Sequence, residues 1–191
     1  MNNIILINPE NEKKLLKKSS FLQDITGAKF PIINNIPRFV HKDNYTKNFG
    51  FQWNKFKETQ LKKDIMGGDL NLKRFFAETC WSRKDLENNC ILEVGSGAGR
   101  FTRVILEHSN AILYSIDSSS SVDANLNNNK DYQNRLNLFQ ADIAKLPFEN
   151  NSFDKIFCLG VLQHTSNYKS ALSEMIKKLK IEGEIVVDFY P

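Results

Sequence analysis

The sequence predicts an α/β fold in which a mostly parallel sheet is flanked by helices, preceded by a small N-terminal extension of a hairpin and helices. Two observations carry this prediction. From Cys90 onward, short apolar runs alternate with amphipathic segments, a pattern typical of βαβ units. The first of these runs leads directly into a glycine-rich turn. With 191 residues, of which 41% are hydrophobic and 25% charged, the chain is long enough for one globular domain.

The elements of the parallel sheet follow one another in a regular order. We expect strands near residues 90–94, 112–116, 136–140, 154–159 and 184–190, and helices near residues 99–108, 120–130 and 168–179. The polar stretch at residues 125–134 is either the end of a helix or a loop. These elements define a predicted core at residues 90–191.

Residues 1–89 form the predicted extension. They contain a strand-like run, a basic amphipathic helix candidate, a hairpin, an aromatic cluster and two further helix candidates, at residues 4–7, 10–19, 30–39, 45–56, 70–80 and 83–87 respectively. The hairpin is predicted from Asn34-Asn35 between two apolar runs, because asparagine tolerates the left-handed turn conformation. Ser82 is an acceptable N-cap for the last helix.

The most informative segment is the glycine-rich turn. Gly95, Gly97 and Gly99 occupy alternate positions behind Glu93, and a helix start follows them. Such a turn brings the backbone close to a ligand, and the helix directs unpaired N–H groups into the same crevice. The dinucleotide fingerprint G-x-G-x-x-G is not met, because Arg100 stands at its sixth position.

This loop resembles motif I of the class I, Rossmann-like methyltransferases that use S-adenosylmethionine (SAM), and four further segments resemble the family in the expected order. They are Asp117 after the second strand, Asp142 after the third, the run at residues 153–164, and the turn at residues 179–187. In that turn Ile181 and Glu182 replace the family's usual proline and first glycine. The chain stops after the fifth strand, whereas the family fold adds two more. We therefore expect either a fragment or shortened gene product, or a core whose exposed sheet edge is covered by a homo-oligomer contact, a partner chain or the N-terminal part.

The resemblance implies a cofactor site. In this site Glu93 would help to bind the methionine end of SAM, and the loop against the cofactor would consist of Gly95, Ser96, Gly97 and Gly99. Asp117 and Ser118 would bind the ribose, and Asp142 with Ile143 would bind the adenine. The carbonyls of Leu159 and Gly160 would bind the amino group of SAM. Each residue also has a structural alternative: a tight turn for the glycines, a solvated carboxylate for Glu93, a helix N-cap for Asp117 and a turn acid for Asp142.

Three further residues are candidates for roles beside the cofactor: His164 and Tyr45 as catalytic residues, and Tyr45 with Trp53 as a lid. His164 follows the fourth strand, and its ordinary pKa near 6.5 suits proton transfer. The alternative is a structural loop histidine. Tyr45 and Trp53 could cover the cofactor, since a sulfonium is attracted to aromatic faces, or both could pack in the N-terminal core.

The implied function is transfer of a methyl group from SAM to a small molecule or a sugar-pathway intermediate. An alternative is a SAM-binding protein that no longer catalyses. An NAD-dependent oxidoreductase is a third class, disfavoured by the missing fingerprint. The shortened C-terminus favours the non-catalytic alternative, and the intact cofactor residues count against it.

Composition and charge narrow the partners, metals and cellular locations that we expect. The net charge of +4 is mild, and mixed charges disfavour nucleic acid as a partner. Cys80, Cys90 and Cys158 lack metal-ligand spacing, so we expect no metal. In many relatives a zinc-ribbon-like piece with paired cysteines precedes the hairpin, and here such a piece would have to hold together without metal. No apolar run would span a membrane and no signal peptide is recognisable, so we expect a cytoplasmic protein.

Overall fold

The computed structural model describes residues 4–40 and 69–189. The first of these segments forms a small antiparallel sheet with the strand order β1-β2-β3-β4. Its strands are β1 (Leu16–Lys17), β2 (Phe21–Gln23), β3 (Lys29–Ile33) and β4 (Ile36–Pro37). The predicted hairpin is confirmed, because β3 and β4 pair across Asn34 and Asn35, whose φ angles are 53° and 63°. Residues 4–7 contribute isolated bridges at Leu6 and Ile7 rather than a regular strand.

The predicted helix at residues 10–19 is wrong. The side-chain oxygen of Asn8 accepts from the Glu10 amide at 3.0 Å, and that of Asn11 accepts from the Lys13 amide at 2.9 Å. These local bonds offer the backbone an alternative to helical pairing. Glu12 has a φ of 59°, which a right-handed helix excludes. The chain turns here and then enters β1.

A carboxylate cross-links the two turns of the small sheet. Asp24, which is buried, accepts from the side chains of Asn8 at 2.6 Å, Asn11 at 2.9 Å and Thr26 at 2.7 Å. It also accepts from the amides of Thr26 and Ala28. These hydrogen bonds hold the pKa of Asp24 well below its ordinary value. The amide and hydroxyl groups at this place do not fit a zinc ion, which favours thiolate and imidazole ligands.

The second segment carries the predicted α/β core. Its helices are α1 (Leu70–Thr79), α2 (Arg83–Leu86), α3 (Arg100–His108), α4 (Ser121–Asn128) and α5 (Tyr168–Lys178). Its strands are β5 (Cys90–Val94), β6 (Ile112–Asp117), β7 (Leu136–Gln140), β8 (Phe153–Cys158) and β9 (Leu179–Val187). They form one sheet in the order β7-β6-β5-β8-β9. All four pairings are parallel, so the predicted fold class is confirmed.

The element boundaries differ from the predictions at two places. The polar stretch at residues 125–134 contains both predicted alternatives, the end of a helix and a loop. Helix α4 ends at Asn128, and a 3₁₀ turn, Lys130–Tyr132, follows it. Strand β9 begins at Leu179, earlier than predicted, and its register with β8 shifts between Phe153 and Lys155. In this shifted region Glu182, at the family's glycine position, has a φ of 65°.

Both faces of the parallel sheet are buried. One face packs Ile91, Leu113 and Phe157 against helices α1 and α3, with Phe75 of α1 fully buried among them. The opposite face packs Leu92 and Ile156 against Met175 of α5, among other buried side chains. A parallel sheet needs helices on its faces for this reason. Helix α1 precedes residue 90 and nevertheless belongs to this core. The predicted boundary between the N-terminal extension and the core, at residues 89 and 90, remains a prediction.

The small sheet docks on the β7 edge of the parallel sheet. The Phe39 amide donates to the Gln140 carbonyl at 2.7 Å, and Arg38 forms an ion pair with Asp123 at 2.7 Å. The N-terminal part therefore covers one sheet edge. Strand β9 forms the other edge of the described sheet, and the expected covering contact there remains a prediction. Within residues 4–40 and 69–189, no helix combines the length and apolarity needed to cross a bilayer.

Candidate functional site

A cavity of about 320 Å³ opens at the carboxyl ends of β5, β6 and β8. This volume lies within the range typical of small-molecule sites. The position is where open α/β sheets bind their ligands, beside the point at which the strand order reverses. Ten of the predicted site residues line it, namely Gly95, Ser96, Gly97, Asp117, Ser118, Asp142, Ile143, Leu159, Gly160 and His164.

The glycine-rich loop is held by strand β6. The amides of Gly95 and Ser96 both donate to the Ile116 carbonyl at 2.9 Å. Gly95 has a φ of 80°, and a β-carbon placed on it would overlap the side chain of Val161. The loop therefore lies directly against the segment that follows β8. Among the residues the structure describes, the buried hydroxyl of Ser96 has no hydrogen-bond partner, although Ser96 lines the cavity.

Asp117 connects the loop to the end of β6. One carboxylate oxygen accepts from the Gly97 amide at 2.9 Å, and the other accepts from the amide and hydroxyl of Ser119 at 2.9 and 2.7 Å. The helix N-cap considered for Asp117 is wrong, because Ser120 is the N-cap residue of α4, and Asp117 instead stabilises the turn at Ser119. A carboxylate has about four lone-pair positions, so Asp117 can still accept from a hydroxyl in the cavity. Its ribose-binding role remains a prediction.

Asp142 and Ile143 lie on the wall of the cavity after β7. Asp142 is exposed, and one of its carboxylate oxygens accepts from the Ala144 amide at 2.9 Å. This bond is the turn role that the sequence offered as an alternative. The adenine-binding role of both residues stays a prediction, to which the second carboxylate oxygen and the Ile143 amide would contribute.

Glu93 lies beneath the loop rather than in the cavity lining. It is 2% exposed, and its Oε2 accepts from the hydroxyls of Thr102 and of Ser115, the latter at 2.6 Å. Burial raises the pKa of Glu93 from its ordinary 4.5 to about 7, and the two hydroxyl hydrogen bonds oppose that rise. The solvated carboxylate considered from the sequence is therefore wrong. Its role at the methionine end of SAM, through water or backbone amides, remains a prediction.

The segment after β8 forms the opposite wall. Leu159 and Gly160 line the cavity, and the Gly160 amide donates to Asp188 at 2.5 Å. This bond uses the amide, and a ligand contact by the carbonyl oxygens of Leu159 and Gly160 remains a prediction. Asp188 lies 3.8 Å from the guanidinium of Arg74, which also pairs with Glu78 at 2.6 Å.

His164 closes a 3₁₀ turn, Leu162–His164, at the mouth of the cavity. It is exposed, and its amide donates to the Val161 carbonyl at 2.9 Å. The residues that follow it, Thr165, Ser166 and Asn167, also line the cavity, and the sequence did not single them out. Their position directly after His164 was the available signal. A catalytic role for His164 remains a prediction.

Of the predicted site residues that the structure describes, Glu93 and Gly99 are absent from the cavity lining. Tyr45, with the other proposed lid residue Trp53, lies outside the described residues. Gly99 packs instead against helix α4, where a β-carbon would overlap the side-chain amides of Asn125 and Asn129. These asparagines are completely buried, whereas their polar stretch is predicted from the sequence as a helix end or a loop.

The three cysteines lie outside the cavity lining. Cys158 is buried and Cys90 half-buried, whereas Cys80 is exposed. Burial raises the pKa of the Cys90 thiol to about 12, so this thiol stays protonated. Both strand cysteines are thus small apolar side chains, as their apolar runs predicted.

Comparison with known proteins identifies similar sequences and folds. A family model described as "Methyltransferase domain" matches residues 92–187. A ubiquinone/menaquinone biosynthesis C-methyltransferase, UbiE of Azotobacter vinelandii, is 30% identical over 134 residues, covering 66% of this chain and 52% of the relative. An uncharacterized protein of Methanocaldococcus jannaschii is 31% identical over 115 residues, covering 59% and 47%. This chain thus spans about half the length of these curated relatives.

Solved structures share the fold. The crystal structure of a protein described as a SAM-dependent methyltransferase from Methanococcus maripaludis superposes with a TM-score of 0.61 at 19% identity. The superposition covers 78% of this chain and 68% of the other. At this identity the match is evidence for the fold alone.

Proposed function

Because this chain belongs to the class I SAM-dependent methyltransferases, whose domain model matches residues 92–187, we propose that its cavity binds SAM and transfers the methyl group to a small-molecule acceptor. The main support for this proposal is the hydrogen bond that the Gly97 amide donates to the Asp117 carboxylate, at 2.9 Å. It places a hydrogen-bond acceptor from β6 directly at the glycine loop, inside a cavity of suitable size.

The residues present fit this cofactor. The unpartnered Ser96 hydroxyl, among the described residues, offers a polar atom to a ligand, and glycine at position 95 lets the loop pack directly against Val161 on the cavity wall. Asp117 would hold the ribose hydroxyls and Asp142 with Ile143 the adenine. The Leu159 and Gly160 carbonyls would hold the amino group of the methionine end.

SAM supplies an activated methyl group, so the protein's task is to bind, align and exclude water. The wall after β8 would orient the methionine end toward His164 and the cavity mouth. If the acceptor must lose a proton, His164 would take it. The polar side chains of Thr165, Ser166 and Asn167 at the same mouth would contact the acceptor.

The proposed acceptor is a small molecule or a sugar-pathway intermediate. Nucleic acid is disfavoured by the mixed surface charge, and a cytoplasmic location is part of the same proposal. Because the UbiE relatives are named as C-methyltransferases, the compounds to be screened should include some that accept a methyl group on carbon.

Titration calorimetry of the purified chain with SAM, S-adenosylhomocysteine (SAH) and NAD tests the cofactor first. We expect dissociation constants on the order of micromolar for SAM and SAH and no heat for NAD. Labelled SAM and a panel of phenolic, quinol and sugar acceptors would then test transfer. A folded chain that binds neither SAM nor SAH refutes the proposal, whereas SAM binding without transfer to any acceptor favours the non-catalytic alternative.

A further inference from the structure

Three asparagines of the segment that includes α4 face the glycine-rich loop. Asn125 and Asn129 are four residues apart, the spacing that puts two side chains on one helix face, and both are 0% exposed. Asn128 is half-buried beside them. Amides are costly to bury unless they are hydrogen-bonded, so the partners of these side chains reveal what they do.

The partners are the carbonyls of the loop itself. The Asn129 side chain donates to the Gly99 carbonyl at 3.2 Å and to the Asn125 side-chain oxygen at 2.8 Å. The Asn128 side chain donates to the Ala98 carbonyl at 2.9 Å. Two consecutive carbonyls of the loop are therefore bound by two neighbouring asparagines.

Asn125 extends this network to the strand below the loop. Its side chain donates to the Thr102 hydroxyl at 2.9 Å, and that hydroxyl donates to Glu93. A continuous chain of hydrogen bonds thus runs from α4 through α3 to the end of β5. The loop is fixed on its outer side by asparagines and on its inner side by β6, through Gly95 and Ser96.

Gly99 shows how close the contact is. It has a φ of 88°, and a β-carbon placed there would overlap both buried amides. Gly99 is also absent from the residues that line the cavity. The third glycine of the motif therefore permits the approach of α4, whereas Gly95 and Gly97 face the cavity.

We propose that Asn125, Asn128 and Asn129 are positioning residues that hold the glycine-rich loop in its ligand-binding conformation before the ligand arrives. This inference rests on the proposed SAM site for its effect on affinity. A loop that is already ordered loses less conformational freedom on binding, and that difference appears as affinity. None of the three asparagines lines the cavity.

The test compares Asn128→Ala and Asn129→Ala with Arg135→Ala. Arg135 is a matched control because it also donates to backbone carbonyls of the α3 region, those of Leu106, Ser109 and Ala111, but at the helix end away from the loop. We expect each asparagine variant to raise the SAH dissociation constant about tenfold, the effect of roughly one lost hydrogen bond. Arg135→Ala should lower the thermal midpoint and leave the SAH dissociation constant unchanged.

A second measurement tests the positioning role of the asparagines without any cofactor. In the ligand-free protein, hydrogen exchange at the Gly97 and Gly99 amides reports loop order, because these amides bond to Asp117 and to the Ser96 carbonyl. We expect faster exchange in the asparagine variants and unchanged exchange in Arg135→Ala. Asn129→Asp keeps the volume but puts a buried carboxylate oxygen against the Gly99 carbonyl, so its loop exchange should be at least as fast as that of Asn129→Ala.

The outcomes separate the two proposals. If the wild type binds no SAH, the proposed function fails, and loop exchange alone decides the role of the asparagines. If the folded asparagine variants keep both wild-type affinity and wild-type loop exchange, the positioning role is overturned. Equal losses in Arg135→Ala would also overturn it, because the effect would then be general destabilisation. Should Asn129→Ala not fold, the half-buried Asn128 still provides the comparison.

Discussion

Replacement of Glu93 by glutamine should remove a pH dependence from the stability of the protein. In the folded state burial raises the pKa of this acid to about 7, against 4.5 when the chain is unfolded. Between these two values the unfolded chain releases a proton that the folded protein retains. Stability contributed by the neutral acid is thus complete below about pH 4.5 and is lost as the pH rises through 7.

The magnitude follows from the two pKa values. Each pH unit between 4.5 and 7 corresponds to about 1.4 kcal/mol, so wild-type stability should fall by about 3 kcal/mol across this interval because of Glu93 alone. Glutamine has nearly the same shape as the neutral acid and does not titrate. Its oxygen can accept from Thr102 and Ser115 as Glu93 does.

Urea unfolding of the ligand-free protein at several pH values would measure the effect. Subtracting the Glu93→Gln curve from the wild-type curve cancels all other titrating groups. Glu149→Gln, at an exposed glutamate, is the matched control and should run parallel to the wild type. Parallel wild-type and Glu93→Gln curves would refute the reasoning, since Glu93 would then have the same pKa in both states.

Three further changes test other parts of the site and fold. Asp117→Ala should weaken SAH binding by roughly 1.5–3 kcal/mol in titration calorimetry, the scale of a charged hydrogen-bonding group, while Asp131→Ala on the exposed surface should not; equal affinities would remove Asp117 from the site. Gly95→Ala should lower both the thermal midpoint and SAH affinity, because the added methyl group meets Val161 at a positive φ, and a wild-type melting curve would contradict this packing. Asp24→Ala should speed amide exchange in β2 and β3 without altering SAH affinity, and unchanged exchange would show that the carboxylate does not hold the two turns together.

The sequence predicted the elements whose signals are local. Alternating apolar runs located the five parallel strands, and Asn34-Asn35 located the hairpin, because turn and strand preferences act over a few residues. Because Asp117 and Asp142 come at the ends of apolar runs, the sequence also indicated that both lie at the carboxyl end of the sheet. Parallel strands bring such positions together whatever the intervening sequence.

Features that depend on distant partners could not be predicted in this way. The lysine-rich pattern at residues 10–19 suits an amphipathic helix, but Asn8 and Asn11 divert the backbone and bond to Asp24 in the next turn. In the sequence, Asn125 and Asn129 belong to a polar stretch that is predicted as the end of a helix or a loop. They are buried because carbonyls and hydroxyls of the preceding βα unit satisfy their amides.

The hydrogen bonds from Asn8, Asn11 and Thr26 to Asp24 determine the conditions under which the small sheet can unfold. A cross-link made of thiolates and a metal is lost when the thiols are oxidised or when the metal is withdrawn. A carboxylate bonded to amides and hydroxyls responds to neither event. The N-terminal part of this chain should therefore keep its shape during oxidative stress and metal starvation, and with it the cover that it provides for the β7 edge.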